Sequence, residues 1–160
     1  MMHAYDWDGA SALPGWLAQE KMDGCRAYWT GAELLTKSGR AYRDVPASIL
    51  AQLRELGQAA DCELWAGRAG GLEPARLAAQ CARWAPCLQL HIFDLPEHGG
   101  PALARLQTVA QLPLGVRFWV CTDPANDRDR VKRGGGEGLM LRDPAARYAP
   151  GRRPTMLKAK

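Results

Sequence analysis

The chain has 160 residues, of which 47% are hydrophobic and 24% are charged, and its formal net charge at pH 7 is +4. These values are typical of one globular domain and exclude an intrinsically disordered chain. Because no apolar run is long enough to cross a bilayer and the N-terminus lacks the pattern of a secretory signal, we expect a cytoplasmic protein.

Hydrophobic periodicity predicts short strands interspersed with amphipathic helices. The first three strands, over residues 16–21, 26–30 and 33–37, are predicted to form a meander, with Asp23-Gly24 as the turn between the first two. Further strands are predicted over 61–65, 88–93, 116–121, 139–142 and 155–160, helices over 47–56, 74–84 and 101–112, and a short helix or loop over 124–133. Strands close in sequence, with helices between them, predict an α+β fold with largely antiparallel sheets.

Basic residues are concentrated in the last part of the chain. Residues 128–160 contain ten Lys or Arg and three Asp or Glu, which gives this segment a charge of +7. Cationic side chains displace condensed counterions from nucleic acid, so this segment suits a phosphate-bearing partner. A solvated basic surface is the alternative interpretation.

Cysteine and histidine spacings argue against a structural metal site or a disulfide framework. The five cysteines are scattered and include no Cys-x-x-Cys pair, and the three histidines lack ligand spacing. We therefore expect the cysteines to be small core residues in a reducing compartment.

The side chains able to perform phosphate chemistry are few. Lys21 lies beside Asp23-Gly24, Glu63 and Glu137 lie in or next to predicted strands, and two lysines end the chain. An unprotonated lysine amine is a nucleophile, carboxylates bind a metal ion or a ribose, and ammonium groups neutralise charge that grows on phosphates. This set of groups suits attack on a nucleotide phosphate.

Six segments carry a family resemblance, and they occur in the family's order. They are Lys21-Met22-Asp23-Gly24, Thr36-Lys37-Ser38-Gly39, Asp61-Cys62-Glu63-Leu64-Trp65, Phe93-Asp94-Leu95-Pro96, Glu137-Gly138-Leu139-Met140-Leu141 and Leu157-Lys158-Ala159-Lys160. The chain thus resembles the covalent nucleotidyltransferases, and most closely the adenylation domain of the small bacterial ATP-dependent DNA ligases. It departs from their pattern at Cys62, where glycine is common, and at Lys37, which replaces an arginine and lacks its bidentate fork.

The resemblance implies a role for each matching residue. Lys21 would form a phosphoramide with AMP, and Lys158 and Lys160 would complete the catalytic set. ATP or AMP would be bound by Gln19, Glu20, Lys21, Arg26, Glu63, Phe93, Lys158 and Lys160. A Mg²⁺ or Mn²⁺ ion would be bound by Glu137 and Glu63, and nucleic acid by Arg26, Lys37 and Arg40.

The resemblance also implies the architecture and the reaction. We expect two largely antiparallel sheets flanked by helices and enclosing a nucleotide cleft, in one adenylation domain over residues 1–160. No OB-fold domain is present within these residues; a separate domain or chain could supply one. The expected protein is a monomer that transfers AMP from ATP to a 5′-phosphate in nicked duplex DNA and then joins the 3′-hydroxyl, as DNA replication, repair and recombination require.

Two other functions remain open at this point. One is an RNA ligase or a capping-type guanylyltransferase, because the recognised motifs are shared, and nucleotide preference between ATP and GTP would separate these. The other is a non-catalytic nucleic-acid-binding module with the same fold. The complete set of lysines and glutamates argues against that second alternative.

Overall fold

The computed structural model describes residues 1–68, 79 and 81–160. Its strands are β1 (Met2–Asp6), β2 (Leu17–Lys21), β3 (Cys25–Trp29), β4 (Leu34–Thr36), β5 (Ala60–Trp65), β6 (Gln89–Asp94), β7 (Phe118–Val120), β8 (Gly138–Arg142) and β9 (Gly151–Ala159). Its helices are α1 (Ala47–Glu55), α2 (Ala102–Gln111) and α3 (Pro124–Arg133). Among the residues described, no helix is long and apolar enough to cross a membrane.

The chain divides into two compact units. Unit 1 comprises residues 1–23 and 99–160, and unit 2 comprises residues 24–98. Chain length alone predicts one core, whereas each unit has its own sheet. The reason is that each sheet has apolar side chains of its own that must be removed from water.

Unit 1 contains a five-stranded sheet in the order β1-β9-β8-β2-β7. Strands β1 and β9 are parallel, and every other pair in this sheet is antiparallel. Successive residues of a strand point to opposite faces. Leu17 accordingly packs with Ala102 and Leu106 of α2, whereas its neighbour Ala18 belongs to a cluster that Val131 of α3 covers.

Unit 2 contains a four-stranded antiparallel sheet in the order β4-β3-β5-β6. Helix α1 buries Leu53 and follows Pro46, as its hydrophobic stripe predicts. The helix predicted over residues 74–84 lies largely outside the described residues, although residues 79, 81 and 82 are helical. The predicted α+β class with largely antiparallel sheets is confirmed by both units.

Three local predictions need correction. Strands β2 and β3 belong to different sheets, so Asp23-Gly24 does not close a hairpin, whereas β3 and β4 do pair as predicted. Strand β1 was not predicted, because its apolar alternation is weak. Strand β9 begins at Gly151 rather than at residue 155; its pairing with β1 is irregular near Pro154, which has no N–H to donate.

The segment over residues 124–133, for which the sequence predicts a short helix or a loop, is a helix. The Asp123 side chain accepts hydrogen bonds from the backbone N–H groups of Ala125 and Asn126, and Pro124 occupies the first turn. Both features stabilise a helix N-terminus. The cap therefore compensates for the low hydrophobicity of this sequence.

Candidate functional site

Three charged side chains meet at one end of the unit 1 sheet. Strand β2 ends at Lys21, which lies opposite Gly138 at the start of β8, so Glu137 comes beside the lysine. One carboxylate oxygen of Glu137 accepts a hydrogen bond from Lys21 Nζ. The other is 2.6 Å from Lys160 Nζ. Three residues that the sequence predicts as site residues are therefore brought together.

The titration of Glu137 and Lys160 reflects this contact. Burial acts to raise the pKa of Glu137, but hydrogen bonds from Lys160 and Lys21 outweigh it, so the pKa of this carboxyl is lowered. The hydrogen bond to Glu137 raises the pKa of Lys160. Glu137 is consequently an anion that is stabilised by two ammonium groups.

Gly138 allows β8, which Glu137 precedes, and β9, which Lys160 follows, to approach closely. A Cβ atom at this position would lie 2.1 Å from the carbonyl oxygen of Ala159, and the residue has a φ of 150°. Both features require glycine. The close approach of β8 to β9 places Lys160 next to Glu137.

Lys158 has a different partner from Lys160. Its Nζ lies 3.2 Å from Oδ1 of Asp6, in the strand β1 that runs beside β9. Lys158 and Lys160 alternate along the sequence, which predicts that their ammonium groups lie on one face and need an anion there. The structure supplies two separate carboxylates instead, and nothing in the sequence signalled Asp6 as one of them.

Gln19 and Glu20 lie on opposite faces of β2. Gln19 is buried and its Nε2 donates a hydrogen bond to the carbonyl of Val116, at 3.4 Å. Glu20 is half-buried, and its Oε1 lies 2.8 Å from the position of a Cβ at Gly136. Their predicted contacts to a nucleotide stay predictions.

In unit 2, Arg26 forms a bidentate ion pair with Asp61. The Nε–Oδ1 distance is 2.8 Å and the Nη2–Oδ2 distance is 2.7 Å, and the Asp61 side chain is fully buried. The Arg26 guanidinium also lies 4.9 Å from the centre of the Phe93 ring. The sequence places Asp61 in one of the six motifs but does not identify it as the partner of Arg26.

The other residues of unit 2 that are predicted to bind a ligand lie in β5 and in the turn after β4. Glu63 is half-buried in β5, opposite Arg26 on one side and His91 on the other. Lys37 and Arg40 are exposed in the turn that follows β4. That turn is closed by hydrogen bonds between the backbone groups of Thr36 and Arg40 and between those of Thr36 and Gly39.

A metal ion would have few protein ligands here. The described residues contain no group of three or more His, Cys, Asp or Glu side chains placed to hold one. A lone carboxylate such as Glu137 fits Mg²⁺, because this ion keeps several waters and also binds substrate phosphates. The predicted roles of Glu137 and Glu63 in metal binding stay predictions.

Comparisons with known proteins identify DNA ligases as similar to this chain, although no protein-family model matches it. A curated DNA ligase from Haemophilus influenzae is 28% identical over 173 residues, which covers 100% of this chain and 62% of that protein. A Lig E DNA ligase structure matches with a TM-score of 0.80 at 27% identity, over 100% of this chain and 68% of that one. The structure of Chlorella virus DNA ligase-adenylate matches with a TM-score of 0.72 at 18% identity, over 99% of this chain and 66% of that one.

These matches confirm the resemblance drawn from the six motifs and the predicted fold. The likeness to the viral enzyme concerns the fold alone. The chain spans 62% of the length of the curated relative that it matches.

Proposed function

We propose that this chain is the adenylation domain of an ATP-dependent DNA ligase, with Lys21 as the residue that carries AMP. The observation that carries the proposal is the contact of Glu137 with both Lys21 and Lys160 at the end of the unit 1 sheet. These residues belong to three of the six ordered motifs. A lysine nucleophile, a carboxylate and a second ammonium are the groups that the reaction needs.

In the first step, the Lys21 ammonium loses a proton, and the resulting amine Nζ attacks the α-phosphorus of ATP and forms a P–N bond. The bond to the bridging oxygen breaks, the electron pair leaves with pyrophosphate, and a proton is released from Nζ. Lys158 in β9 and Lys160, which directly follows this strand, would neutralise charge on the phosphates. Glu137 orients Lys21 and balances the charge of the two ammonium groups.

In the following steps, AMP is passed to DNA. An oxygen of the 5′-phosphate at a nick attacks the phosphorus of the lysine-bound AMP, and Lys21 leaves. The adjacent 3′-hydroxyl then attacks the adenylated 5′-phosphate, forms the phosphodiester and releases AMP. Positioning and neutralisation of charge provide most of the catalysis in such transfers.

A Mg²⁺ or Mn²⁺ ion would neutralise charge on the phosphates of ATP. Glu137 is the carboxylate best placed to hold such an ion beside Lys21, and we propose Glu63 as a second carboxylate. Both oxygens of Glu137 accept hydrogen bonds from ammonium groups. Each carboxylate oxygen has a further lone pair, so Glu137 could hold a metal ion while it accepts these hydrogen bonds.

The nucleotide pocket is proposed to use Gln19, Glu20, Arg26, Glu63 and Phe93. The Arg26 guanidinium covers one face of the Phe93 ring. An adenine that stacks on Phe93 must therefore use the other face of the ring or displace Arg26. Arg26, Lys37 and Arg40 are proposed to contact the nucleic acid.

The activity of a whole ligase is also a proposal, because the chain covers only 62% of the length of its curated relative. We propose a monomer that works in the cytoplasm on nicked duplex DNA. An OB-fold domain would be supplied from outside these 160 residues.

Mass spectrometry of the intact protein tests the proposal. After incubation with ATP and Mg²⁺, the mass should rise by one AMP, and Lys21→Ala should abolish the rise. Lys37→Ala removes an exposed lysine that this step does not need, so it should be adenylated like the unaltered chain. A mass increase of one AMP in Lys21→Ala would refute the assignment. A mass increase with GTP but not with ATP would favour a guanylyltransferase.

A further inference from the structure

A basic cavity lies beside Lys160 in unit 1. Its volume is about 550 Å³, and it is lined by Arg128, Asp129, Lys132, Arg133 and Lys160. Helix α3 supplies the first four residues, and the fifth follows the end of β9. Four cations and one acid from two separate elements thus face one cavity, which is favourable when an anion binds there.

The cations of this cavity differ in how far protein carboxylates already neutralise them. Arg128 is paired with Asp129 at 2.7 Å, and Lys160 is paired with Glu137 at 2.6 Å. Lys132 and Arg133 are exposed, and neither forms an ion pair with any residue in the described ranges. Their charge is therefore available to an external anion.

The dipole of helix α3 explains part of this arrangement. Lys132 and Arg133 lie in the last turn of α3, where cations interact favourably with the partial negative charge of the helix end. This effect does not require Lys160, which comes from a different element, to face the same cavity. Packing of Val131 against the cluster that contains Ala159 brings α3 beside the end of β9, so the observation that points to an anion is the exposed charge of Lys132 and Arg133.

We infer that Arg128, Lys132 and Arg133, here called the α3 basic surface, bind the sugar-phosphate backbone of the DNA substrate. The inference rests on the proposed function. Residues 128 and 132 are separated by about 6 Å along the helix axis, at 1.5 Å per residue. Backbone phosphates of one DNA strand are separated by about 3.4 Å along the duplex axis. The length of the α3 basic surface is thus comparable with the spacing of neighbouring phosphates along one strand.

Exposure favours a backbone contact over a pocket for the triphosphate of ATP. Long, hydrated side chains at the surface suit an extended polyanion that releases counterions when it binds. Phosphates that must be aligned for in-line displacement need cations held in fixed positions. Because the surface adjoins Lys160, a strand bound there would lie next to the proposed site of AMP transfer.

The salt dependence of DNA binding tests this inference on the complete 160-residue chain. The probe is a fluorescent nicked duplex with a 5′-phosphate, titrated at several concentrations between roughly 50 and 200 mM salt. Lys132→Ala/Arg133→Ala should lower the magnitude of the slope of log K against log salt by about 1.8, because each phosphate contact contributes about 0.9. Affinity at the lowest salt concentration should fall by about 10-fold or more.

A matched variant controls for net charge. Arg54→Ala/Arg83→Ala removes the same two charges from exposed positions of unit 2. It should leave the slope within about 0.5 of that of the unaltered chain. An unchanged slope in Lys132→Ala/Arg133→Ala, or an equal loss in the control, would overturn the inference.

Adenylation of the same proteins separates this inference from the proposed function. Both double variants should acquire AMP from ATP at the rate of the unaltered chain, measured by intact mass. A loss of adenylation with unchanged DNA binding would assign the cavity to the triphosphate and overturn the backbone contact. If the unaltered chain acquires no AMP, the proposed function fails, while the salt slopes still decide whether the surface binds DNA.

Discussion

Glu137 accepts a hydrogen bond from Lys21: the lysine ends β2, and Glu137 directly precedes β8, the neighbouring strand of the unit 1 sheet. A second hydrogen bond ties the same carboxylate to the Lys160 side chain, which is about half exposed. The side chain of Lys21, the proposed nucleophile, is thus held in place by this carboxylate. This relationship makes Glu137 the residue whose substitution is most informative.

The first prediction concerns the contribution of this carboxylate to adenylation. Glu137→Ala and Lys160→Ala should each slow the formation of the Lys21 adduct by at least about 10-fold, the effect of losing one charge-assisted contact worth about 1.4 kcal/mol. Single-turnover adenylation followed by intact mass measures the rate. Rates in both variants near that of the unaltered chain would leave only the fold resemblance.

The second prediction concerns pH. The folded-state pKa of Glu137 is lowered from its ordinary value of 4.5, so its ionised form stabilises the fold above that value. This stability should be lost as the pH falls through the lower folded pKa. Lys160 stays charged throughout, because its pKa is raised.

Thermal unfolding of the unaltered chain and of Glu137→Gln between pH 7 and pH 3 tests the predicted loss of stability at low pH. The unaltered chain should have the higher Tm at pH 7, and the difference should shrink below about pH 4.5. Glutamine preserves the shape of the side chain but does not titrate. A difference in Tm that is independent of pH would contradict the lowered pKa.

Much of the fold could be predicted because most elements carry a strong local pattern. The stripe that buries Leu53 in α1 and the apolar alternation of β5 each specify an element without help from the rest of the chain. Strand β1 could not be predicted in this way. It is defined by parallel pairing with β9, about 150 residues later, and such pairing has no local sequence signal.

The candidate site could be predicted in part for a similar reason. The motif order indicated Lys21, Glu137 and Lys160, and the structure places their side chains in contact. The ion pairs of Lys158 and Arg26 were missed, because Asp6 and Asp61 become their partners only through strand pairing. Asp23-Gly24 was misassigned to a hairpin because this dipeptide is a strong turn signal.

The third prediction concerns the buried pair in unit 2. Arg26→Ala would leave Asp61, which is fully buried, without its bidentate partner, so the free energy of unfolding should fall by about 3–5 kcal/mol. Arg26→Lys should also be destabilising, because lysine cannot supply the planar fork. Urea unfolding monitored by circular dichroism measures both effects.

A double-mutant cycle separates the pair from the other contacts of Arg26. The variant Arg26→Met/Asp61→Leu should be less destabilised than the sum of its two single substitutions, because it leaves no buried charge without a partner. Additive effects would show that the ion pair contributes little. In that case the position of Arg26 over Phe93 would have to account for its contribution to the fold.

The fourth prediction concerns Gly24, at the start of unit 2. A Cβ at this residue would lie 2.2 Å from the carbonyl oxygen of Leu64 and 2.8 Å from Cγ of Glu63. Gly24→Ala should therefore lower the free energy of unfolding by about 1–3 kcal/mol through overpacking. It should also disturb Glu63 and weaken ATP binding, which isothermal titration calorimetry would detect.

Gly31→Ala is the control for Gly24→Ala. Gly31 has nothing within 4 Å of its Cβ position, but its φ of 95° strains any other residue. It should lose stability through its backbone conformation alone and bind ATP normally. Equal losses of ATP affinity in the two variants would show that close packing against β5 does not matter to the nucleotide.

The fifth prediction separates the two possible roles of Lys158. This lysine is paired with Asp6, whose side chain is 80% exposed, and such surface pairs contribute about 0–1 kcal/mol to stability. If the pair were its only role, Lys158→Ala and Asp6→Ala would have equally small effects.

The proposed function requires Lys158 to leave Asp6 and neutralise phosphate charge during adenylation. We therefore expect Lys158→Ala to slow adenylation by at least about 10-fold, and Asp6→Ala to leave it unchanged or slightly faster, while both variants unfold within about 1 kcal/mol of the unaltered chain. Single-turnover adenylation and urea unfolding on the same protein preparations provide the two measurements. Equal adenylation rates in the two variants would remove Lys158 from the catalytic set and leave Lys160 as the lysine that acts on the phosphates.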